Sequence, residues 1–234
     1  MRIYTSIAGA YPRIGEDYGK ELRAALHQRD QKKIWAEQDA VVQRVVKEQE
    51  DAGMDYITDG LVRWHDPVSH IAGRLQGITV GELHHYFHTN FHVRKVTART
   101  KPEWVRSLIG EEIKFLRSIT DRPVLAVLPS PQLLMKYTEN GSSYTDAEIF
   151  DCYERALEFE AYLTGQRVYW MHDDNPTWRV VKAITTFTAK EEDPKQRAQE
   201  IAKEIEGETK DVLLIPNWDL DILPHTYAKR KMEL

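Results

Sequence analysis

The residues best suited to chemistry stand in short polar clusters, each following an apolar run. In chain order these are Tyr11 and Arg13; Asp59, Arg63, His65 and Asp66; His88, Asn90 and His92; Ser130; His172, Asp173 and Asp174; and Asn217, Trp218 and Asp219. Asp173 and Asp174, with His172 before them, are the candidates for catalysis. Carboxylates at the end of an apolar run can hold a substrate ammonium or ring nitrogen, and an imidazole beside them can carry a proton. The plainer alternative makes the two aspartates turn formers ahead of Asn175-Pro176. Arg63 offers a planar fork to a carboxylate or phosphate, or pairs with Asp59 or Asp66. Tyr11, Arg13, Asp59, Arg63, Asp66, His88, Asn90, Ser130 and Trp218 form the candidate substrate-binding set.

Metal and cofactor chemistry has less to stand on. On a strand His84, His88 and His92 share one face, but each pair is about 13 Å apart, too far to hold one ion. Stacked or hydrogen-bonded histidines are the simpler reading. Zinc held by His172, Asp173 and another histidine is the lesser alternative, so no metal ligand is assigned. Cys152 is the only cysteine, which excludes an internal disulfide and any zinc site needing two thiolates from one chain. Its neighbours Phe150, Tyr153 and Leu157 suit a buried structural thiol rather than a nucleophile. The sequence has no glycine-rich phosphate loop, so no nucleotide cofactor is implied.

The elements that must position these clusters alternate between β-rich runs and amphipathic stretches, as in parallel-sheet α/β proteins. Strands are expected at Arg2–Ala10, Met54–Thr58, Leu83–Ala98, Pro123–Leu128, Val168–Met171, Ala183–Thr188 and Val212–Ile215. Helices are expected at about Gly19–Ala52, Lys101–Ser118, Thr145–Thr164 and Pro194–Glu206. In the first of these Val41, Val42, Val45 and Val46 form the apolar stripe, with Lys47, Glu48 and Glu50 on the wet face. Thr145 and Glu148 make a capping box. A (β/α)8 barrel of the TIM type uses about 250 residues and eight strands. With 234 residues and seven strands, a shortened or incomplete barrel is the first reading and an open doubly wound sheet the second. Residues 1–234 read as a single domain.

Composition narrows the setting. A net charge of −5 gives no electrostatic reason to expect nucleic acid, and no apolar run approaches the roughly 18 residues of a membrane span. The N-terminal stretch lacks the pattern of a secretory signal. Together with the single cysteine, this points to the cytoplasm.

Several of these runs resemble a known family. Ile7-Ala8-Gly9-Ala10-Tyr11-Pro12-Arg13 is similar to the first-strand signature of cobalamin-independent methionine synthases, an Ile-Gly-Ser-Phe/Tyr-Pro run. Asp55-Tyr56-Ile57-Thr58-Asp59-Gly60, with Arg63 and Asp66 after it, resembles that family's second strand. Phe87-His88-Thr89-Asn90-Phe91 is similar to its Phe-Asp-Thr-Asn strand, and Val127-Leu128-Pro129-Ser130-Pro131 to its Leu-x-Gly-Pro. Met171-His172-Asp173-Asp174-Asn175-Pro176 looks like a loosened Ile-Asp-Glu-Pro. Pro216-Asn217-Trp218-Asp219-Leu220 resembles the C-terminal Asn-Pro-Asp-Cys-Gly-Leu segment.

The resemblance implies a barrel related to enzymes that move a methyl group from a folate to homocysteine sulfur, the thiol being activated by zinc. The departures bear on that chemistry. Leu61 stands where the family has an acid that helps hold the amino-acid substrate, and Ala10 replaces its serine. Thr186 and Thr188 stand where its His-x-Cys ligands are expected, and Trp218 where its last cysteine is. The implied reading is a small-molecule binder of folate or amino-acid type, with zinc-independent one-carbon transfer as its activity and folate as a substrate. A non-catalytic homologue, self-associating or attached to a catalytic subunit, is the alternative from another class. A third reading, the uroporphyrinogen decarboxylase cousin, would need several arginines among Arg13, Arg63 and Arg94 to converge.

Overall fold

The computed structural model describes residues 1–15, 17–85, 92–171 and 175–234, with the side chains of 84, 85 and 92 left aside. It is a mixed α/β protein that divides into two compact units. One comprises Met1–Arg63, Phe115–Leu125 and Asn175–Leu234; the other comprises Trp64–Lys114 and Ala126–Asp174. Among the described residues no helix is long and apolar enough to cross a membrane.

In chain order the elements begin with β1 (Ile3–Thr5), α1 (Lys20–Gln28), α2 (Gln31–Asp51), α3 (Pro67–Ala72), β2 (Gln76–His85) and β3 (His92–Glu103). They continue with α4 (Gly110–Ile119), β4 (Leu125–Pro129), α5 (Pro131–Lys136), β5 (Thr138–Asn140), α6 (Asp146–Thr164) and β6 (Arg167–Met171). The last are β7 (Trp178–Ile184), α7 (Pro194–Glu204), β8 (Asp211–Pro216) and α8 (His225–Glu233), with a 3₁₀ turn at Leu220–Ile222 before α8.

The first unit holds a parallel sheet in the order β1-β8-β7, with Ile3 opposite Val212 and Val181 opposite Leu214. Residues 55–58 continue it beyond β1, since Tyr56 N–H donates to Thr5 O at 3.1 Å. On their far side Ile57 bridges Val124 in parallel, and Leu125 N–H donates to Ile57 O at 3.0 Å. Parallel strands align their carboxyl ends, so the loops after β1, residues 55–58 and β8 emerge on one side. Helix α2 is fixed to this frame by its valine stripe and by Gln49. The Gln49 amide donates to Thr58 O at 2.8 Å and accepts from Thr58 N at 3.0 Å.

In the second unit β2 and β3 form a long antiparallel hairpin, and β5 pairs in parallel with β3. β4 and β6 form a two-stranded sheet. Every residue of β4 is buried, as its unbroken apolar run requires. Glu160, fully buried on α6, accepts from Trp104 Nε1 (3.0 Å), Ser107 Oγ (2.6 Å) and Ile109 N (2.9 Å). That satisfies a carboxylate that would otherwise be costly to bury.

Several expected elements are redrawn. The helix expected from Gly19 to Ala52 is two helices, because Arg29 adopts a left-handed φ of 55° and Asp30 caps α2 by accepting from Lys33 N. Of the strand expected at Leu83–Ala98, 83–85 belong to β2 and 92–98 to β3, with 86–91 outside the described residues, and Lys101–Glu103 is strand rather than helix. β7 lies earlier than Ala183–Thr188, because Thr185 and Thr186 bond to side chains instead of the ladder. Glu48 is 3% exposed rather than on the wet face of α2. The Thr145 capping box forms as expected, with both of its hydrogen bonds present.

Candidate functional site

Three carboxyl ends in the first unit bring Arg13, Asp59, Asp219 and Asp221 into one electrostatic group. β1 runs on through Ile7 and Ala8 into Tyr11-Pro12-Arg13, and Tyr11 N–H donates to Gly60 O at 3.0 Å. Ala8 and Leu61, at the ends of the first two strand segments, hold φ of 45° and 51°. Left-handed non-glycine residues carry strain of about 1–3 kcal/mol and concentrate where a chain has functional work. Asp59 orders the second of these turns by accepting from Leu61 N at 3.0 Å.

The segment after β8 is laced to β1. Asp219 Oδ1 accepts from Ala10 N at 2.9 Å, and Leu220 N and Asp221 N donate to Ala10 O at 2.8 and 3.1 Å. The approach requires glycine at position 9, because a Cβ there would lie 2.5 Å from Asp219 Oδ1. The lacing sets Asp221 against Arg13. Burial lowers the Arg13 pKa, opposed by the charges of Asp221 and Asp59. Burial raises that of Asp221, opposed by Arg13. Asp219 is pushed up to about 6 by burial and then by Asp221, against the Ala10 hydrogen bond. A desolvated cation beside desolvated carboxylates suits a small zwitterion, which would complete both charge sets.

A buried cluster supports the loop that carries Arg13. Tyr11, with no exposed surface, donates its hydroxyl to Glu48 Oε2 at 2.8 Å, and His225 Nε2 lies 2.9 Å from the same oxygen. Arg44 Nε is 3.5 Å from Glu48 Oε1. The Tyr18 ring stands edge-on to His225, with centroids 5.0 Å apart. Burial and the Glu48 charge push the Tyr11 phenol far up. Sequence reading missed Glu48, His225 and Asp221. For Glu48 the signal is present, since it follows Val45 by three and Val41 by seven and so falls on the buried stripe.

The other described site residues have partners within their own units. Arg63 pairs with Asp39, and its guanidinium lies 4.9 Å from the Phe115 ring centroid. In the second unit Asp66 caps α3, accepting from Ser69 N at 2.7 Å and from Arg94 N at 3.2 Å. Burial acts to raise its pKa, but hydrogen bonds from His65, Ser69 and Arg94 hold it low. Ser130 is wholly buried and caps α5, its Oγ accepting from Leu133 N at 3.1 Å. Ser130→Ala is therefore expected to lower stability by about 1 kcal/mol, read from urea unfolding. Trp218 stands against Phe187, with ring centroids 6.3 Å apart. His172, Asp173, Asp174, His88 and Asn90 lie outside the described residues.

Where the resemblance places zinc ligands, Thr186 is fully buried. Its N–H and hydroxyl donate to Asn217 Oδ1 at 2.9 and 3.2 Å, and the Asn217 amide donates to Thr185 Oγ1 at 3.2 Å. A threonine hydroxyl engaged this way and an indole do not suit zinc, which binds thiolate, imidazole or carboxylate. Among the described residues no three His, Cys, Asp or Glu side chains are grouped to hold an ion.

Compared with solved structures, the chain is similar to a B12-independent methionine synthase from Shewanella sp. W3-18-1 in complex with selenomethionine. The TM-score is 0.79 at 13% identity, covering 100% of this chain and 95% of that one. It is also similar to a Listeria monocytogenes protein assigned as a vitamin-B12-independent methionine synthase, with a TM-score of 0.68 at 16% identity and coverage of 100% and 96%. At these identities the likeness is one of fold. No protein-family model matches the chain, and no curated protein does.

Proposed function

We propose that the chain is a methionine-synthase-like protein, built on a shortened or incomplete (β/α)8 barrel, that binds a small amino-acid-type molecule or folate. The observation that carries this reading is the group of Arg13, Asp59, Asp219 and Asp221 at the carboxyl ends of neighbouring parallel strands. Arg13 receives the ligand carboxylate, and Asp221 with Asp59 receives its ammonium. The likeness to a methionine synthase solved with selenomethionine supports a ligand of amino-acid type. In this reading the activity is zinc-independent one-carbon transfer.

The engagement of Thr186 with Asn217 favours a second reading. In it the chain binds the same ligand without turnover, as a self-associating or accessory subunit of a catalytic partner.

Isothermal titration with L-methionine, L-homocysteine and 5-methyltetrahydrofolate tests the binding common to both. Saturable 1:1 binding of at least one is expected, and heats indistinguishable from dilution for all three would sink the proposal. Incubation of homocysteine with the methyl folate under a chelator separates the two readings. Methionine formed supports transfer, and binding without product supports the accessory subunit.

A further inference from the structure

A cavity of about 330 Å³ opens on the face of the β1-β8-β7 sheet that α7 and α8 cover, and it shares no residue with the charged group above. Its walls include Ile201 from α7, Leu214 and Ile215 from β8, and Met232 from α8, with Ile3 and Leu234 half-exposed beside it. Ala198 and Ala202, one turn apart on α7, line it as well.

The polar groups that line it are already engaged within the wall. Thr5 Oγ1 donates to Asp55 Oδ2 at 2.9 Å, and Ser6 Oγ accepts from Ala8 N at 3.4 Å. Arg197 donates to Ala183 O at 2.6 Å, Lys182 O at 2.7 Å and Glu200 Oε2 at 2.9 Å. Lys231 is bonded to Glu192 and to Lys190 O, and Glu192 also accepts from Thr185 N at 2.7 Å. What the walls offer an occupant is therefore carbon.

We propose that this cavity is a binding site for a small, neutral, apolar molecule or the hydrocarbon part of one. Water gains little there, because an ordered water needs two or more polar partners, whereas apolar cavities of smaller volume take up aromatic hydrocarbons. A charged ligand would bury its charge without a counter-ion, since the lysine and arginine are paired. The volume lies at the lower end of small-molecule sites, about 300–1,000 Å³, so the occupant is of that class.

The test is a methyl-detected NMR titration of the full chain with toluene, using benzoate as a charged control of similar shape. Toluene is expected to give saturable shifts at the Met232 and Ile201 methyls, and benzoate none. Ala202→Phe, which fills the space with a benzyl group, is expected to abolish the shifts; Ala198→Leu serves if that variant does not fold. The proposal is overturned by the absence of saturable shifts in the wild type, or by shifts that persist in the folded variant. It is also overturned if benzoate binds as well as toluene, or if sedimentation shows a second copy covering this face and toluene does not bind.

Discussion

Replacing Glu48 by alanine is expected to lower the stability of the protein by about 3–5 kcal/mol, the range for removing one partner from a buried charged network. The carboxylate is 3% exposed, and it accepts from the Tyr11 hydroxyl at 2.8 Å and from His225 at 2.9 Å. Without it the phenol and the imidazole lose their acceptor in a place that water reaches poorly. The His225 side chain is only 9% exposed, and its buried Nδ1 has no hydrogen-bond partner among the described residues. Glu48→Gln keeps an acceptor for Tyr11 but loses the charge, so it should fall between wild type and Glu48→Ala. Urea unfolding of the three proteins checks this, and a loss below about 1 kcal/mol for the alanine variant would contradict the network. Because Tyr11 leads into Arg13, the same substitution should also weaken ligand binding.

Asp219→Asn is expected to stabilise the protein at neutral pH, and the pH at which the gain appears identifies its cause. The carboxyl titrates near 6 in the folded protein against an ordinary value of 3.8. A group with a raised folded pKa favours the native state while both states are protonated, below about pH 4. That contribution is lost as pH rises through 6, where the folded state must ionise a buried acid. A shift of about two units corresponds to roughly 3 kcal/mol as an upper figure. Asparagine keeps an acceptor for Ala10 N and removes the charge, so the variant should gain up to about 3 kcal/mol at pH 7 and nothing at pH 4. Thermal unfolding of both proteins between pH 4 and 8 reads this directly. An equal gain at both ends would mean that packing, not titration, is responsible. Asp221, also raised by burial, gives the wild type a slope of the same sign.

The alternation of elements was legible because it rests on local patterns. Pro123–Leu128 reads as a buried strand and the structure has one at Leu125–Pro129, and Thr145 with Glu148 reads as a capping box and forms one. What the patterns hide is long-range. No periodicity tells that residues 83–85 belong to β2 while 92–98 belong to β3 and pair with it antiparallel. Asp66 and Ser130 looked like ligand-binding residues because they are polar and follow apolar runs. Each precedes a proline, however, and each caps the helix that the proline begins. The same pairing recurs at Asp193-Pro194, so the cap signature is legible in the sequence. Arg13 and Asp59 can be picked from sequence as strand-end residues, the places where such groups gather, and the structure puts both at such ends. Asp221 and His225 cannot be, because their meeting with residues more than 170 positions away depends on β1 lying beside β8.

Whether Arg13 and the aspartates around it form the ligand site is decided by calorimetry on one variant. L-Methionine titrated into the wild type should give a saturable 1:1 isotherm, and Arg13→Ala, shown folded by its unfolding transition, should give none. An unchanged isotherm in folded Arg13→Ala would place the ligand elsewhere, and no binding by the wild type would remove the ligand site altogether.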